Sequence, residues 1–188
     1  TRVGGFGGSD AALFLRIAKK GGVEGLSNTD LYRIAVAMGI KPYVPVPVTE
    51  AMQNGHRFED SYERYLIDSG NTFEREVKLV AECQPTNFRI FAHADFVIDN
   101  CVEECKFIAD ESKTAEDVAE TYKAQLQWYY MLGVEYVNLI RGYSEPEYPI
   151  FQDLAIDKDD EIIDQLKLGI RLLDEAIEHG WVPEIEEE

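Results

Sequence analysis

Two carboxylates and one lysine, Asp95, Glu104 and Lys106, occur close together in a stretch that reads as strand, turn, strand. Runs of β-branched and aromatic residues flank Asp99-Asn100, a typical turn pair. Because side chains alternate along a strand, Glu104 and Lys106 share one face, and the hairpin brings Asp95 beside Glu104. Carboxylate oxygens bind Mg²⁺, and the lysine would stand next to a metal-bound water.

The same residues have a simpler interpretation, because a Glu-x-Lys pair on one strand face is common as a solvated surface ion pair. Asp95 argues against it, since this carboxylate lies inside an apolar run. Burying a charge there costs free energy unless the charge has a partner or a function. Cys105 points to the other face and is expected to be a buried strand residue. The position of Asp95 therefore favours a metal site.

The composition describes a globular and strongly acidic chain. Of its 188 residues 45% are hydrophobic and 11% aromatic, which is enough for a core and argues against disorder. The formal net charge is −18, whereas nucleic-acid-binding proteins usually carry a basic footprint. Part of the excess is an acidic tail at residues 184–188. Any DNA site must therefore be a local basic or metal-filled cleft.

Cysteine usage and hydropathy indicate the compartment. The three cysteines, Cys83, Cys101 and Cys105, include no CxxC pair, which predicts a reducing cytoplasm and argues against a disulfide framework or a four-cysteine cluster. No apolar run approaches the length of a membrane span and no signal-peptide pattern is present, so no membrane association is expected. The opening residues, TRVGGFGGSD, are typical of the middle of a protein, and further residues are expected before them.

The periodicity of apolar residues predicts one domain, residues 1–188, with no internal repeat and no dividing linker. A proline-rich segment, KPYVPVPV, predicts an extended connector after the second helix. The predicted helices are Ser9–Lys20, Asp30–Met38, Thr49–Ser69, one from Lys113 or Thr114 to Leu132, and Asp159–His179. The predicted strands are Thr72–Glu82, Phe88–Ile98, Cys101–Ile108, Glu135–Tyr143 and Ile150–Ile156.

Three residues on these helices allow two interpretations. Ser9 is a good helix N-cap, and a helix N-terminus is also a ready anion site. Gly55 costs its helix about 1 kcal/mol relative to Ala, which predicts close packing or the approach of another group. Glu59 lies one turn after Gly55 on the same face, but its spacing alone favours an ordinary exposed acid.

Four segments stand in one order along the chain: GGSDAA, NGHRFED, AHADFVID with EECKF, and YKAQLQWYYML. Together they resemble the lambda-type phage exonucleases of the YqaJ viral recombinase family, within the PD-(D/E)XK nuclease superfamily. The resemblance covers nearly the whole chain. It implies an α/β fold with a restriction-endonuclease-like core, αβββαβ, in which helices flank a central mixed sheet, with extra N-terminal and C-terminal helices. Ala94 stands where the superfamily name has proline.

The resemblance assigns a metal site. Asp95, Glu104 and Glu59 match the metal-binding acids, and the backbone carbonyl of Cys105 matches a main-chain ligand. Lys106 matches the catalytic lysine. The implied cofactor is Mg²⁺, with Mn²⁺ as an alternative.

The resemblance also assigns residues that hold DNA. Arg2 and Ser9 match a basic residue and a hydroxyl that bind the terminal 5′-phosphate. His93 occupies the place of a small hydroxyl residue near that phosphate, and a packed strand histidine is the alternative. Gln125 matches the glutamine of the fourth motif and would bond a phosphate, unless it only makes local helix contacts. Three aromatic residues of the same helix are expected in the core: Trp128, Tyr129 and Tyr130.

The function implied is a Mg²⁺-dependent 5′→3′ exonuclease that degrades linear double-stranded DNA in phage or prophage recombination, in the cytoplasm of a bacterial host. Members of the family often form rings around DNA and work with a single-strand annealing protein, so both a homo-oligomeric ring and such a partner are expected. One alternative is an endonuclease or repair nuclease on the same fold. Another alternative is a catalytically idle acidic protein that binds proteins or mimics DNA. The net charge favours this alternative, whereas Lys106 argues against it, since a DNA mimic has no need of that lysine.

Overall fold

The structure is a computed structural model that describes residues 4–187. It contains a mixed six-stranded sheet flanked by helices, which confirms the predicted α/β fold class. The strands are β1 (Gly5–Phe6), β2 (Glu74–Val80), β3 (Arg89–Ile98), β4 (Cys101–Phe107), β5 (Tyr136–Ser144) and β6 (Pro149–Ile156). The helices are α1 (Ala11–Lys20), α2 (Asn28–Ala37), α3 (Glu50–Asp68), α4 (Ala115–Thr121), α5 (Lys123–Met131) and α6 (Asp160–Glu178). Within the described residues, none of these helices has the length and apolarity needed to cross a membrane.

Strand β3 organises the sheet. One of its edges pairs antiparallel with β2, from Glu74↔Val97 to Val80↔Phe91. Its other edge is shared, because β1 pairs parallel with residues 89–90 and β4 pairs antiparallel with residues 96–98. The sheet continues from β4 to a parallel β5 and then to an antiparallel β6.

The sheet has a hydrophobic core on each face. The larger core lies between the sheet and helices α1, α5 and α6, with Phe14, Trp128 and Leu166 fully buried. The second core lies under α3, where Phe58 and Tyr62 pack on Phe96, Cys105 and Ile140. Cys105 is 8% exposed and belongs to this second core, so its side chain is a buried strand residue, as expected.

The predicted helix ending at Leu132 is two helices. Tyr122 lies between α4 and α5 with φ −102° and ψ 18°, outside the helical range. Helix α4 begins at Ala115, and Thr114 is its N-cap, because the Thr114 hydroxyl accepts from the N–H of Asp117. The apolar pattern continues without a gap through residue 122, so periodicity alone could not show the break.

The starts of the first two helices differ from their predictions. Ser9 does not cap α1, because it lies inside a short 3₁₀ turn, Gly8–Asp10, that precedes the helix. Asp10 holds the N-cap position of α1 without a side-chain capping bond to that helix, and its carboxylate instead accepts from the backbone N–H of Gly7 at 2.9 Å. Helix α2 begins at Asn28, two residues before its predicted start, and its N-cap is Ser27, whose hydroxyl accepts from the N–H of Asp30 at 3.2 Å.

Close packing was predicted at Gly55 because glycine is unfavourable inside a helix, and this prediction was wrong. A Cβ added to Gly55 would meet no heavy atom within 4 Å. The close contact is at Gly169 in α6, where an added Cβ would lie 2.1 Å from the carbonyl oxygen of Phe14 in α1. Gly169 therefore permits the packing of α6 on α1.

We expect Gly169→Ala to lower the free energy of unfolding by about 3 kcal/mol, because the new methyl group must push α1 and α6 apart. The matched control is Gly55→Ala in α3, which should raise it by up to about 1 kcal/mol through helix propensity. Urea denaturation measures both. Equal midpoints for the two variants would contradict the close α1–α6 contact.

Candidate active site

The candidate site lies in a gap of the sheet. Within the described residues, 91–95 of β3 have no strand partner on the edge that β1 and β4 share. Side chains of α5 replace the missing strand, because the indole N–H of Trp128 donates to the carbonyl of Phe91 at 2.8 Å and the Tyr129 hydroxyl donates to the carbonyl of His93 at 3.1 Å. The gap is therefore bridged by α5 and remains open to solvent.

Asp95 lies where β3 is distorted. Ala94 packs in the larger core and Phe96 in the second core, so two residues that should share a face lie on opposite faces. Glu76 of β2, which lies opposite Asp95, has a left-handed φ of 55°. The pairing of β2 with β3 is interrupted at these two residues and continues on either side of them. A β-strand that is bent in this way re-aims one side chain, here that of Asp95.

The carboxyl group of Asp95 turns toward β4 and α3. Its Oδ2 accepts from the backbone N–H of Cys105 at 2.9 Å. The carboxyl group of Glu59 in α3 lies within hydrogen-bonding contact of Asp95. Glu59 is 17% exposed and its other neighbour is the ring of His56, 3.2 Å away. Glu59 is thus directed at Asp95 and is not the exposed acid that its spacing suggested.

Glu104 and Lys106 project from β4 toward α5. Glu104 is 4% exposed, and its Oε1 lies 3.3 Å from Nζ of Lys106. The Lys106 ammonium also lies 4.2 Å from the centre of the Tyr122 ring. The break between α4 and α5 places this ring over the lysine, and a cation above an aromatic face is held there electrostatically.

Helix α5 supplies two further groups on the same stripe. Nε2 of Gln125 lies 3.5 Å from Oε1 of Glu104, and the Tyr129 hydroxyl makes a short hydrogen bond to Oε2 of the same carboxylate. Tyr129 is 1% exposed, so its expected burial is correct, but its contact with Glu104 was missed. Its position four residues after Gln125, one helical turn away, is the signal that would have found it.

The electrostatics of the acids favour a bound cation. Burial, the contact with Glu59 and the negative charge of that group raise the pKa of Asp95 to about 8. Burial and repulsion from Asp95 raise the pKa of Glu104 to about 7, although Lys106 and Tyr129 oppose the rise. Acids that are buried beside one another without enough positive charge hold protons, and a divalent cation would replace those protons.

The acids are neighbours but do not form a finished coordination shell. Between residues 4 and 187, no three side chains of His, Cys, Asp or Glu are arranged so that they could hold a metal ion by themselves. Oxygens of Glu104 are engaged by Lys106, Gln125 and Tyr129. The donor set is nevertheless hard oxygen throughout, which suits Mg²⁺ with water completing the shell. The ligand roles of these acids and of the Cys105 carbonyl stay predictions.

A pocket of about 250 Å³ adjoins these groups. The backbone of the glycine-rich turn forms one wall, and His93 and Gln125 form another. Ser9 is exposed at its rim. The residues that line it are Gly7, Gly8, Ser9, Asp10, Arg33, Phe91, His93, Gln125 and Tyr129.

Arg33 is the arginine that the structure places at this pocket. Its guanidinium donates to both carboxylate oxygens of Asp10, at 2.8 and 2.9 Å, and to the carbonyl of Gly5 at 2.8 Å. The sequence showed no sign of this role, since Arg33 comes from α2, far along the chain. Arg2, which was expected to bind phosphate here, lies outside the described residues.

Comparison with known proteins identifies the fold of the chain but assigns the chain to no family. No protein-family model matches the chain, and no curated protein matches it in sequence. A phage-related exonuclease from Haemophilus somnus 129PT has a similar structure, with a TM-score of 0.63 and 11% identity over 93% of this chain and 96% of that chain. The protein SSO0001 is similar with a TM-score of 0.51 and 18% identity, over 90% and 76%. The chain therefore shares its fold with a phage-related exonuclease.

Proposed function

We propose that this protein is a Mg²⁺-dependent deoxyribonuclease that hydrolyses linear double-stranded DNA from its 5′ ends, with Mn²⁺ as an alternative ion. One observation carries the proposal: Glu59, Asp95, Glu104 and Lys106 converge in a sheet gap that opens onto a pocket of about 250 Å³. Gln125 joins the two, because it contacts Glu104 and lines the pocket. The fold shared with a phage-related exonuclease supports the same conclusion.

Phosphodiester hydrolysis needs an activated water, charge neutralisation at phosphorus and help for the leaving oxygen. A Mg²⁺ ion held by Asp95, Glu104, Glu59 and the carbonyl of Cys105 would supply Lewis acidity and a more acidic water. The Lys106 ammonium, fixed between Glu104 and Tyr122, would orient the attacking water and stabilise the negative charge that develops at the phosphate. Tyr129 keeps Glu104 turned toward this point.

The pocket would hold the terminal 5′-phosphate. Backbone N–H groups of a glycine-rich turn, the Ser9 hydroxyl, the His93 ring and the Gln125 amide are all suitable donors to phosphate oxygens. A pocket that takes a terminal phosphate beside the acids would place the next phosphodiester bond at Lys106. This arrangement would make the enzyme start from an end.

The test compares linear duplex DNA carrying a 5′-phosphate, the same duplex with a 5′-hydroxyl, and a covalently closed circle, each with Mg²⁺ and with EDTA. We expect the phosphorylated end to be degraded at least about tenfold faster, since charged hydrogen bonds to the phosphate are lost in its absence. The circle and the EDTA samples should stay intact. Equal rates at the two ends would argue against the pocket, cleavage of the circle would support an endonuclease, and no cleavage would support the idle, DNA-mimicking alternative.

We further propose that the protein acts in the cytoplasm as a homo-oligomeric ring together with a single-strand annealing protein. A ring would let a protein with a net charge of −18 bind DNA, because a channel lined by the basic residues of several copies would concentrate positive charge that one acidic copy lacks. Light scattering of the purified protein, with and without DNA, measures the oligomeric state.

A further inference from the structure

A strip of basic and aromatic side chains lies on the outward face of β2 and β3. Lys78 and Val80 of β2 are exposed, as are Arg89 and His93 of β3, with Phe91 half-buried between them. The register sets Lys78 opposite His93 and Val80 opposite Phe91, so these side chains share one face. We call these five residues the β2–β3 strip.

The strip is continuous with the phosphate pocket. Phe91 and His93 belong to both, since they also line the pocket. From Arg89 to His93 the strip extends about 13 Å along β3. A strand of nucleic acid that ends in the pocket would therefore pass directly over it.

The strip carries two cations, Lys78 and Arg89, on a strongly acidic protein. Elsewhere several cations are neutralised, as Arg16 is by Asp30 at 2.7 Å and Arg75 by Asp60 at 2.8 Å. Among residues 4–187, no carboxylate lies within 4.0 Å of the charged nitrogens of Lys78 or Arg89. Lys78 and Arg89 can therefore bind an anionic ligand, although the protein has a net charge of −18.

The aromatic part of the strip is held rigidly. Phe91 lies against β1, where a Cβ on Gly5 would come within 2.6 Å of its ring. Its ring meets that of His93 edge to face, with centroids 5.5 Å apart, and the Lys78 ammonium lies 5.2 Å from its centre. Rigid rings between cations are the pattern of single-strand binding surfaces, in which bases stack on rings and phosphates contact cations.

We propose that the β2–β3 strip binds single-stranded DNA, with Lys78 and Arg89 on the phosphates and the ring of Phe91 against the bases. That this strand is the one leading to the pocket rests on the proposed nuclease function. Binding to the strip does not, because none of its contacts requires a metal ion.

The test is fluorescence anisotropy with a labelled twelve-residue oligothymidylate, about the length of one single-strand site, and with a blunt duplex of equal length, in EDTA. The strip variant is Lys78→Glu with Arg89→Glu. The matched control, Lys19→Glu with Lys20→Glu, makes the same charge change in the last turn of α1. We expect the strip variant to bind the single strand at least about tenfold more weakly. The slope of the logarithm of the binding constant against the logarithm of the salt concentration should become less negative by about 1.4, as for the loss of two phosphate contacts. The control should change less than about twofold, and thermal melting confirms that both variants fold.

A second pair of variants tests stacking. Phe91→Tyr keeps a ring and should retain single-strand binding, whereas Phe91→Leu should lose about fivefold or more. The proposal is overturned if the wild type does not bind the oligothymidylate, if strip and control variants lose equal affinity, or if the Leu and Tyr variants at position 91 bind alike.

Cleavage of linear duplex with Mg²⁺ is measured separately. Strip-dependent binding without cleavage would refute only the proposed function, and cleavage without strip-dependent binding would refute only the strip.

Discussion

Replacement of Lys106 by methionine is expected to lower the rate of DNA cleavage by about 10²–10³-fold while binding of DNA ends persists. The reason is electrostatic. The ammonium, 3.3 Å from Glu104 and under the Tyr122 ring, is preorganised where charge develops during hydrolysis, and removal of one such donor typically has an effect of this size. Methionine keeps most of the apolar stem, so the packing around β4 should change little.

Single-turnover cleavage of a 5′-phosphorylated duplex in Mg²⁺ gives the rate, and anisotropy in EDTA gives the binding. The matched control is Lys113→Met, in the exposed loop after β4, where the backbone of Lys113 is held, its N–H by the carbonyl of Asp110 at 3.2 Å and its carbonyl by Arg141 at 2.8 Å. That variant should cleave within about threefold of the wild type, as for a surface position. Similar rates for Lys106→Met and the wild type would refute the role assigned to this lysine.

Without metal, the melting temperature is expected to fall by about 5 °C or more between pH 5 and pH 8. The folded state raises the pKa of Asp95 to about 8 and that of Glu104 to about 7, mainly through burial. Both values are above those of the unfolded chain, so the folded protein binds more protons than the unfolded one in this range. The stability these groups contribute is present at low pH and is lost as the pH rises through about 7 to 8.

Addition of Mg²⁺ should reverse this trend, because an ion bound only by the folded protein stabilises it more at higher concentration and favours the ionised acids. Differential scanning calorimetry at several pH values, in EDTA and in Mg²⁺, measures both effects. Asp95→Asn should flatten the dependence in EDTA and abolish most of the Mg²⁺ effect. Asp164→Asn, which removes an equal charge from the exposed face of α6, controls for general repulsion and should leave both unchanged. A melting temperature in EDTA that stays constant or rises between pH 5 and pH 8 would contradict the raised pKa values.

The raised pKa values and the incomplete ladder of β3 have a common origin. In a continuous sheet every residue of β3 would pair with a neighbouring strand. Among residues 4–187, however, no strand pairs with residues 91–95 on one edge, and the site lies in this gap. Trp128 and Tyr129 satisfy two of the carbonyls that this leaves. The protein thus keeps its buried backbone groups bonded while acids gather where no strand covers them.

Local features of the protein could be predicted from its sequence. Alternation and turn residues were enough to predict the hairpin of β3 and β4, and the 3.6-residue period was enough for α1, α3 and α6 within two residues at each end. The shared face of Glu104 and Lys106 also follows from alternation alone, because two residues separated by one position on a regular strand cannot do otherwise. The fold class was implied by the resemblance to a known family, and the predicted order of helices and strands agreed with it.

Features that depend on contacts between distant parts of the chain could not be predicted from the sequence. Glu59 meets Asp95 only because α3 packs under the sheet, and Arg33 reaches the pocket only because α2 lies beside β1. The bend of β3 at Asp95 and the break at Tyr122 are likewise invisible to periodicity, since each is a local departure that packing elsewhere stabilises. Propensity acts over a few neighbouring residues, whereas a catalytic arrangement is the sum of contacts made across the whole fold.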